Sequence, residues 1–348
     1  MSAFILIVGV AIGVYIFLYN AFVRGARCRS KVKLHGKTVI ITGSNTGIGK
    51  TTAVDLAKRG ARVILACRDQ QRAESALRDI TAVRQITQKD LCGLVIIRPC
   101  RELNLICCLD RQESGSREVV YMQLDLGSLE SVRAFAENFL KSERRLDLLI
   151  NNAGIVKQGR TKDGLGMMLG VNHIGHFLLT NLLLDRLKQC QPSRVINVSS
   201  AAHSFGSVDF EALSAHKALG VGTSNMAVFR VYSDSKLCNV LFTHELAKRL
   251  EGTNVTCYSL HPGAINSELS RYSSPFLKVL LMPITLLFFK DTKAGAQTTL
   301  HCALQEDLEP LSGRYFSNCA MKKVGAKARD DAVARKLWEV SERLCGLS

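Results

Sequence analysis

A strand, a glycine-rich turn and a helix follow one another between residues 37 and 60, and this order limits the chain to few folds. The run Val39-Ile40-Ile41 is continuously apolar, as is typical of a strand buried on both faces of a parallel sheet. Gly43, Gly47 and Gly49 follow it, and Gly60 is placed to end the helix after them. Such an order lays a diphosphate against a helix N-terminus. Because the spacing is Gly-x3-Gly-x-Gly, an ordinary glycine-rich turn is the alternative.

A second predicted strand, residues 61–66, ends in Cys67-Arg68-Asp69. The residue just past this strand faces the adenosine ribose of a dinucleotide, where an acid suits a free 2′-hydroxyl and a base suits a 2′-phosphate. Arg68 therefore favours NADP over NAD, with Lys50 as a second cation. The neighbouring Asp69 weakens the inference, and a solvated surface charge is the other interpretation of Arg68.

A third feature is the pair Tyr232 and Lys236, four residues apart. On a helix this spacing puts both side chains on one face. A phenol with a pKa of about 10 is a poor acid at neutral pH, and a nearby ammonium lowers that pKa. Such a pair can give a proton to a carbonyl or take one from an alcohol. The same spacing also occurs by chance on half-exposed helices.

Further motifs fall at intervals along residues 37–320. They are Thr42-Gly43-x3-Gly47-x-Gly49, Asp125-Leu126, Asn151-Asn152-Ala153-Gly154, Asn172 within Val171-Asn172-His173, Val195-Ile196-Asn197-Val198-Ser199-Ser200, Tyr232-x3-Lys236 and Pro262-Gly263. In this order they resemble the short-chain dehydrogenase/reductase family. The resemblance implies a single α/β domain with a Rossmann-like, doubly wound, mostly parallel sheet of about seven strands.

The resemblance also assigns a cofactor site, with NADP(H) preferred to NAD(H) and no metal. Asp125-Leu126 would contact the adenine, and Pro262-Gly263 would border the nicotinamide. The full set of cofactor positions implied is Gly43, Ser44, Asn45, Thr46, Gly47, Ile48, Gly49, Lys50, Arg68, Asp125, Leu126, Asn152, Ala153, Gly154, Tyr232, Lys236, Pro262 and Gly263.

Four residues carry the chemistry that the resemblance implies, a hydride transfer between nicotinamide and a carbonyl or carbinol carbon. Tyr232 would donate the proton, and Lys236 would lower its pKa and hold the nicotinamide ribose. Ser200 would hydrogen-bond the substrate oxygen. Asn172 would hold a water that links Lys236 to solvent. Histidines near these positions are expected to be packing or solvent residues; they are His173, His176 and His203.

Within the family, the chain resembles the membrane-anchored retinol dehydrogenases. The residues behind this narrower resemblance are 45–50, 66–69, 171–177, 235–239, 301–304 and 311–316. It implies interconversion of retinal and retinol, and of other lipid aldehydes and alcohols, mainly by reduction. The alternatives are the same chemistry on steroid or lipid-peroxidation carbonyls, and a non-catalytic membrane scaffold that keeps the fold. A homodimer is left open.

The N-terminus predicts attachment to a membrane. Residues 3–19 carry no charge, and a span needs about 20 apolar residues, or about 17 in a thin bilayer. We expect a signal-anchor at 1–23, a basic linker at 24–36 and the catalytic domain at 37–348. The basic flank puts that domain in the cytosol, on the endoplasmic reticulum, where 12 cysteines would stay reduced. The net charge of +16 suits an anionic membrane, and no motif supports nucleic acid.

Three segments depart from a plain domain of this kind. Residues 82–112 form an insertion that reads as neither a linker nor a clean helix, and we expect it at the rim opposite the chemistry. Residues 275–289 are apolar, as expected of either a lid over the substrate cleft or a buried helix. Residues 215–224 lengthen a loop beside the substrate mouth, which puts the retinoid assignment in doubt.

Overall fold

The computed structural model describes residues 25–95, 118–214, 224–265 and 290–347, with the side chains of 83–95 left aside. Its strands form one sheet in the order β3-β2-β1-β4-β5-β6-β7-β8. Their bounds are β1 Thr38–Thr42, β2 Arg62–Cys67, β3 Val119–Gln123, β4 Leu148–Asn151, β5 Ser193–Val198, β6 Val255–His261, β7 Tyr315–Ser317 and β8 Ala320–Met321. All neighbours pair in parallel except β7 and β8.

Helices connect the strands and cover the sheet. We number them α1 Gly47–Lys58, α2 Gln70–Val95, α3 Leu129–Ser142, α4 Gly175–Gln189, α5 Phe210–Ser214, α6 Asn225–Arg249, α7 Thr292–Leu304 and α8 Asp331–Cys345. A short helix, Met167–Leu169, and a π turn, Gly170–Ile174, lead directly into α4. The 3-10 turns are Ala201–Phe205, Glu309–Leu311 and Ala326–Arg329.

The sheet is covered on both faces, because alternate residues of each strand enter two different cores. Ile40 of β1 packs with α3, α4, α6 and α8, whereas Val39 and Ile41 pack with α1, α2 and α7. The predicted doubly wound α/β domain is therefore confirmed. The eighth strand adds only a two-residue antiparallel extension to the seven that the sequence predicts.

The chain winds outward from β1 to β3 and then returns across the sheet to β4, beside β1. A crevice forms at such a reversal, outside the carboxyl ends of the strands, where ligands bind in open α/β sheets. Every predicted site motif follows a strand or lies on a helix that reaches this edge.

Residues 25–34 form an extended segment, which we call the N-terminal strap, and it packs along α7. The Ala26 N–H donates to Asn318 Oδ1 at 2.7 Å. Farther along, the Ser30 hydroxyl donates to the Leu304 carbonyl at 2.8 Å, and Arg59 donates to the carbonyl of Ser30 at 2.9 Å. The strap thus lies against the domain over its whole length. The predicted anchor at residues 1–23 lies outside the described residues.

The predicted insertion begins as regular structure, contrary to the irregular segment that the sequence suggests. Helix α2 continues to Val95, so the first part of the insertion extends this helix. The chain is described again from Glu118, whose carbonyl accepts from the Val63 N–H at 2.6 Å at the amino end of the edge strand β3. The described chain therefore resumes at the edge opposite the crevice, and the placement of the insertion itself stays a prediction. Residues 96–117, 215–223 and 266–289 lie outside the described residues.

Within the described ranges, one helical stretch, Met167–Gln189, is long and apolar enough to cross a membrane. Most of it is buried inside the domain, and Phe177, Leu179 and Leu183 are fully covered. This stretch is the central core helix of the fold.

Candidate active site

The turns after β1 and β4 are bonded to each other at the crevice. The Thr42 hydroxyl accepts from the N–H groups of Asn152 and Ala153, each at 2.9 Å. In return, Asn152 Nδ2 donates to the Thr42 carbonyl at 2.9 Å. The two predicted cofactor motifs therefore form one rigid surface, with Gly43 pressed against Ala153.

The glycine turn requires its glycines. Gly43 and Gly47 have φ of +64° and +58°, the left-handed region that other residues rarely adopt. A Cβ on Gly49 would lie 2.5 Å from Asn152 Nδ2 and 2.6 Å from the Gly43 carbonyl oxygen. At the N-terminus of α1, Thr46 makes no side-chain capping bond and the first turn holds no acid. The backbone N–H groups at the N-terminus of α1 and the positive end of its helix dipole are suited to binding a diphosphate.

The charged side chains near the end of β2 differ in whether they form ion pairs. Lys50 Nζ lies 2.5 Å from Asp79, and Asp69 lies 3.4 Å from Arg72. Arg68 is exposed and, among the described residues, makes no ion pair. Asp125 accepts from the Gly127 N–H at 3.0 Å, which shapes the turn after β3. The carboxylate of Asp69 is thus directed to Arg72, and Arg68 is left available to an anion.

Tyr232 and Lys236 lie on α6, with Lys236 only 3% exposed. Lys236 Nζ donates to the Val198 carbonyl at 3.0 Å and lies 5.8 Å from the centroid of the Tyr232 ring. A Cβ on Gly154 would lie 3.1 Å from this Nζ, so the turn after β4 touches the lysine head. Burial lowers the pKa of Lys236 to about 8.

The lowering of the Tyr232 pKa by Lys236, which the resemblance implies, stays a prediction. Burial raises the pKa of Tyr232, and a hydrogen bond with Ser200 opposes this only in part. Lys236 Nζ is held at the Val198 carbonyl and over the ring face. Burial, which disfavours the charged phenolate, therefore sets the direction of the shift.

Two adjacent serines, Ser199 and Ser200, follow β5, and their contacts distinguish them. The Ser199 hydroxyl is buried and donates to the Lys236 carbonyl at 2.7 Å. Ser200 is partly exposed and hydrogen-bonds Tyr232. Its hydroxyl also accepts from the Ala202 N–H at 3.2 Å and so caps the following 3-10 turn. The geometry thus brings Ser200, rather than Ser199, to the phenol.

Asn172 is fully buried in the π turn before α4. Its amide accepts from the Ile155 N–H at 2.8 Å and donates to the Ile155 carbonyl at 3.1 Å. The second amide hydrogen goes to Ser235 Oγ at 3.0 Å, and the Ser235 hydroxyl donates to the Tyr232 carbonyl at 2.7 Å. Because protein atoms use both amide hydrogens, Asn172 fixes the turn after β4 against α6, and its role in holding a water stays a prediction. The sequence placed Ser235 only within the resemblance at 235–239 and did not indicate this contact.

Histidines around the site fall into different classes. His173 is buried among Phe177 and Phe242 and bonds Ser341, so it packs the core as expected. His203 Nδ1 lies 2.7 Å from the carbonyl oxygen of Ser200 and therefore donates to it. His176 contacts two site motifs at once, which its sequence position did not indicate.

The turn at Pro262-Gly263 forms a further part of the rim of the crevice. Gly263 has φ of +97°, and its N–H donates to His261 Nδ1 at 2.9 Å. Ile265 and Lys290 pair as a parallel bridge. The described range that ends at residue 265 and the one that begins at residue 290 therefore meet beside this turn. Exposed apolar side chains lie near Ser200 and Tyr232 in the chain; these are Phe205, Met226 and Phe229, with the two phenylalanine rings 5.7 Å apart.

A family model described as short chain dehydrogenase matches residues 37–94 and 95–225. The chain belongs to the short-chain dehydrogenase family. It is 49% identical over 348 residues to dehydrogenase/reductase SDR family member 13 of Bos taurus, covering 100% of this chain and 83% of the relative. It is 46% identical over 347 residues to retinol dehydrogenase 12 of Homo sapiens, covering 97% and 98% of the two chains.

Among solved structures, an uncharacterised protein from Mycobacterium Paratuberculosis is similar with a TM-score of 0.64 and 32% identity. The match covers 92% of this chain and 98% of that one. This short-chain dehydrogenase is therefore an oxidoreductase of the alcohol dehydrogenase type, and members of its family use a nicotinamide cofactor.

Proposed function

We propose that this short-chain dehydrogenase is NADP(H)-dependent and interconverts retinal and retinol, and related lipid aldehydes and alcohols, mainly by reduction. The observation that carries the chemistry is the convergence of Ser200, Tyr232 and Lys236 beside Gly154 at the carboxyl edge of the sheet. Retinal is favoured as the substrate because a relative named retinol dehydrogenase matches nearly the whole chain at 46% identity.

In the proposed reaction the cofactor, when bound, supplies the hydride to the carbonyl carbon. Tyr232 donates a proton to the carbonyl oxygen, and the Ser200 hydroxyl donates a hydrogen bond to the same oxygen as negative charge develops. The raised pKa of Tyr232 keeps its proton in place at neutral pH, which suits a donor in the reductive direction. Asn172 and Ser235 hold the backbone of Tyr232 in position.

NADP rather than NAD is supported at the adenosine end. The turn from Gly43 to Gly49 and the uncapped N-terminus of α1 suit the diphosphate. Arg68 follows β2, is exposed and has no ion pair within the described part of the chain. Because Asp69 is directed to Arg72, the objection that this carboxylate would repel a 2′-phosphate is weakened. Arg68 would therefore bind that phosphate.

Membrane attachment is supported by where the strap begins. A Cβ on Gly25 would lie 2.6 Å from Lys290 Nζ, and one on Gly263 would lie 2.8 Å from Lys290 Cδ. A single lysine side chain thus separates the start of the strap from the predicted nicotinamide turn. An anchor at residues 1–23 would therefore bring the crevice to the bilayer. We propose the endoplasmic reticulum membrane, with the domain in the cytosol.

One assay tests this proposal against its rivals. Microsomes containing the full chain would be given all-trans-retinal, a ketosteroid or nonenal, with NADPH or NADH, and Tyr232→Phe would be the matched control. We expect NADPH oxidation with retinal and loss of it in the variant. Preference for the ketosteroid or nonenal would replace the retinoid assignment. No turnover of any substrate would leave the scaffold alternative, and equal rates with NADH would contradict the NADP assignment.

A further inference from the structure

His176 lies between the cofactor turn and the π turn that carries Asn172. The side chain is 1% exposed and projects from α4, one turn after Asn172. Its Nε2 lies 2.8 Å from the Thr42 hydroxyl, and its Nδ1 lies 3.1 Å from the Asn172 carbonyl oxygen. Both ring nitrogens are therefore engaged, and each contacts a different motif of the site.

The hydrogen-bond directions follow from what the partners can do. The Asn172 carbonyl can only accept, so Nδ1 carries the proton and donates to it. Burial lowers the pKa of His176 to about 3, so the ring is neutral and Nε2 must accept. The Thr42 hydroxyl accepts from two backbone N–H groups and gives its own proton to Nε2. Its other acceptor, the Ile150 carbonyl, is farther away at 3.5 Å.

Further hydrogen bonds continue from both partners of His176, Thr42 and Asn172. On one side, Thr42 holds the turn after β4 through Asn152 and Ala153, next to Gly43. On the other side, the Asn172 amide bonds Ser235, whose hydroxyl bonds the Tyr232 carbonyl. A continuous buried path thus joins the glycine turn to the helix of the proton donor, and His176 is its central link.

We propose that His176 is a positioning residue that couples the cofactor turn to the Tyr232 helix, so that removing it weakens cofactor binding and slows turnover together. This proposal deepens the proposed function, and its prediction of slower turnover rests on that function. Both ring nitrogens of His176 are engaged by Thr42 and Asn172, so neither is left for a substrate. His176 acts through Thr42 on the cofactor turn and through Asn172 on α6.

A buried histidine that only packs the core would give a different result, and α4 offers a matched control. Thr180 lies one turn after His176, donates to the His176 carbonyl at 2.8 Å and accepts from Asn151 Nδ2 at 2.9 Å. It is equally buried and hydrogen-bonded but contacts neither Thr42 nor the Asn172 side chain in the described network. Thr180→Val should therefore lower the melting temperature without changing the cofactor Kd.

The test is a double-mutant cycle on the full-length protein in microsomes or detergent. NADPH Kd, measured by fluorescence, is compared for His176→Phe, Thr42→Val and the double variant. Each single change should raise Kd by about tenfold, the ratio expected for one net hydrogen bond. The double variant should be no weaker than the worse single one, because both changes break the same path. His176→Gln, whose amide both donates and accepts, should recover part of the affinity.

The kcat for aldehyde reduction supplies the second readout. It should fall in His176→Phe by a similar factor and recover in part in His176→Gln. Additive effects of His176→Phe and Thr42→Val on Kd would overturn the proposal, as would a Thr180→Val variant with the same loss of affinity. The Kd cycle needs no substrate. If retinal is not reduced, the proposed function is contradicted. The Kd cycle still shows whether His176 couples the cofactor turn to the Tyr232 helix.

Discussion

Lys236 Nζ lies 5.8 Å from the centroid of the Tyr232 ring and gives its hydrogen bond to the Val198 carbonyl. The ammonium therefore lies over the ring face of the proposed proton donor. Burial then acts on both groups in the direction that keeps each neutral, lowering the pKa of Lys236 and raising that of Tyr232. This arrangement has a consequence that can be measured in the pH dependence of the reaction.

We predict that kcat/KM for aldehyde reduction falls as pH rises through about 8. Burial lowers the pKa of Lys236 to about 8, so its ammonium is present below that pH and lost above it. The raised pKa of Tyr232 places loss of the phenol proton at higher pH. Because kcat/KM reports groups of the free enzyme, the decline identifies the lysine.

The control for this profile is Lys290→Met. Burial also lowers the pKa of Lys290, which lies beside Gly263, so among the described residues it is a second lysine able to produce an alkaline decline. The decline should persist unchanged in this variant. A wild-type profile that stays level to the alkaline limit of the assay would contradict the assignment to Lys236.

Arg68→Ala should change cofactor selectivity rather than fold. Loss of a charge-assisted contact with the 2′-phosphate should raise the KM for NADPH by roughly 10- to 100-fold, while the KM for NADH stays nearly constant. Lys50→Ala is the comparison, since Lys50 is already paired with Asp79 and should have a smaller effect. Equal losses for both cofactors in Arg68→Ala would contradict a 2′-phosphate contact.

Gly49→Ala should damage the cofactor turn. The added Cβ would meet Asn152 Nδ2 at 2.5 Å and the Gly43 carbonyl at 2.6 Å, and backbone cannot move aside as a flexible side chain could. We expect a loss of about 1–3 kcal/mol in the free energy of unfolding, the usual cost of overpacking, and weaker NADPH binding.

Gly325→Ala is the matched control for that change, since nothing lies within 4 Å of a Cβ there and its φ is −63°. Its free energy of unfolding should change by less than about 0.5 kcal/mol. Thermal or urea unfolding of the two variants, followed by fluorescence titration with NADPH, measures both effects. A Gly49→Ala protein with wild-type cofactor affinity would show that the turn is not the binding surface.

Phe205→Ser and Phe229→Ser should reduce activity on long apolar aldehydes more than on short soluble ones. The two rings lie 5.7 Å apart, and both are exposed, Phe205 at 71%. Phe205 ends the 3-10 turn after Ser200, and Phe229 lies one turn before Tyr232, so each is near a proposed site residue in the chain. An apolar substrate chain would cover them on binding.

The measurement compares kcat/KM for retinal and for a short water-soluble aldehyde. Leu347→Ser, a change of another exposed apolar residue beyond the last helix, should leave the ratio of the two unchanged. If both phenylalanine variants lower the two activities by the same factor, the rings do not contact the substrate.

Several conclusions needed only the sequence. The apolar run before Gly43 indicated a buried strand and a cofactor-type turn, because strand burial and glycine turns are local properties. The order of the later motifs carried the resemblance that implied the doubly wound sheet. The sequence also identified Tyr232, Lys236 and Ser200 as a group, and the structure brings them together. It could not assign hydrogen bonds, and for this reason it did not show that burial raises the pKa of Tyr232.

The tertiary structure decided which partners each buried group has. Helix packing directs Lys236 Nζ to the Val198 carbonyl, uses both amide hydrogens of Asn172 and places the His176 ring against Thr42, 134 residues away in the chain. Nothing in the spacing of these residues predicts such contacts. They depend on how α4 and α6 lie across β1, β4 and β5, and on the loss of water from the interface between them, where each polar group must find a protein partner.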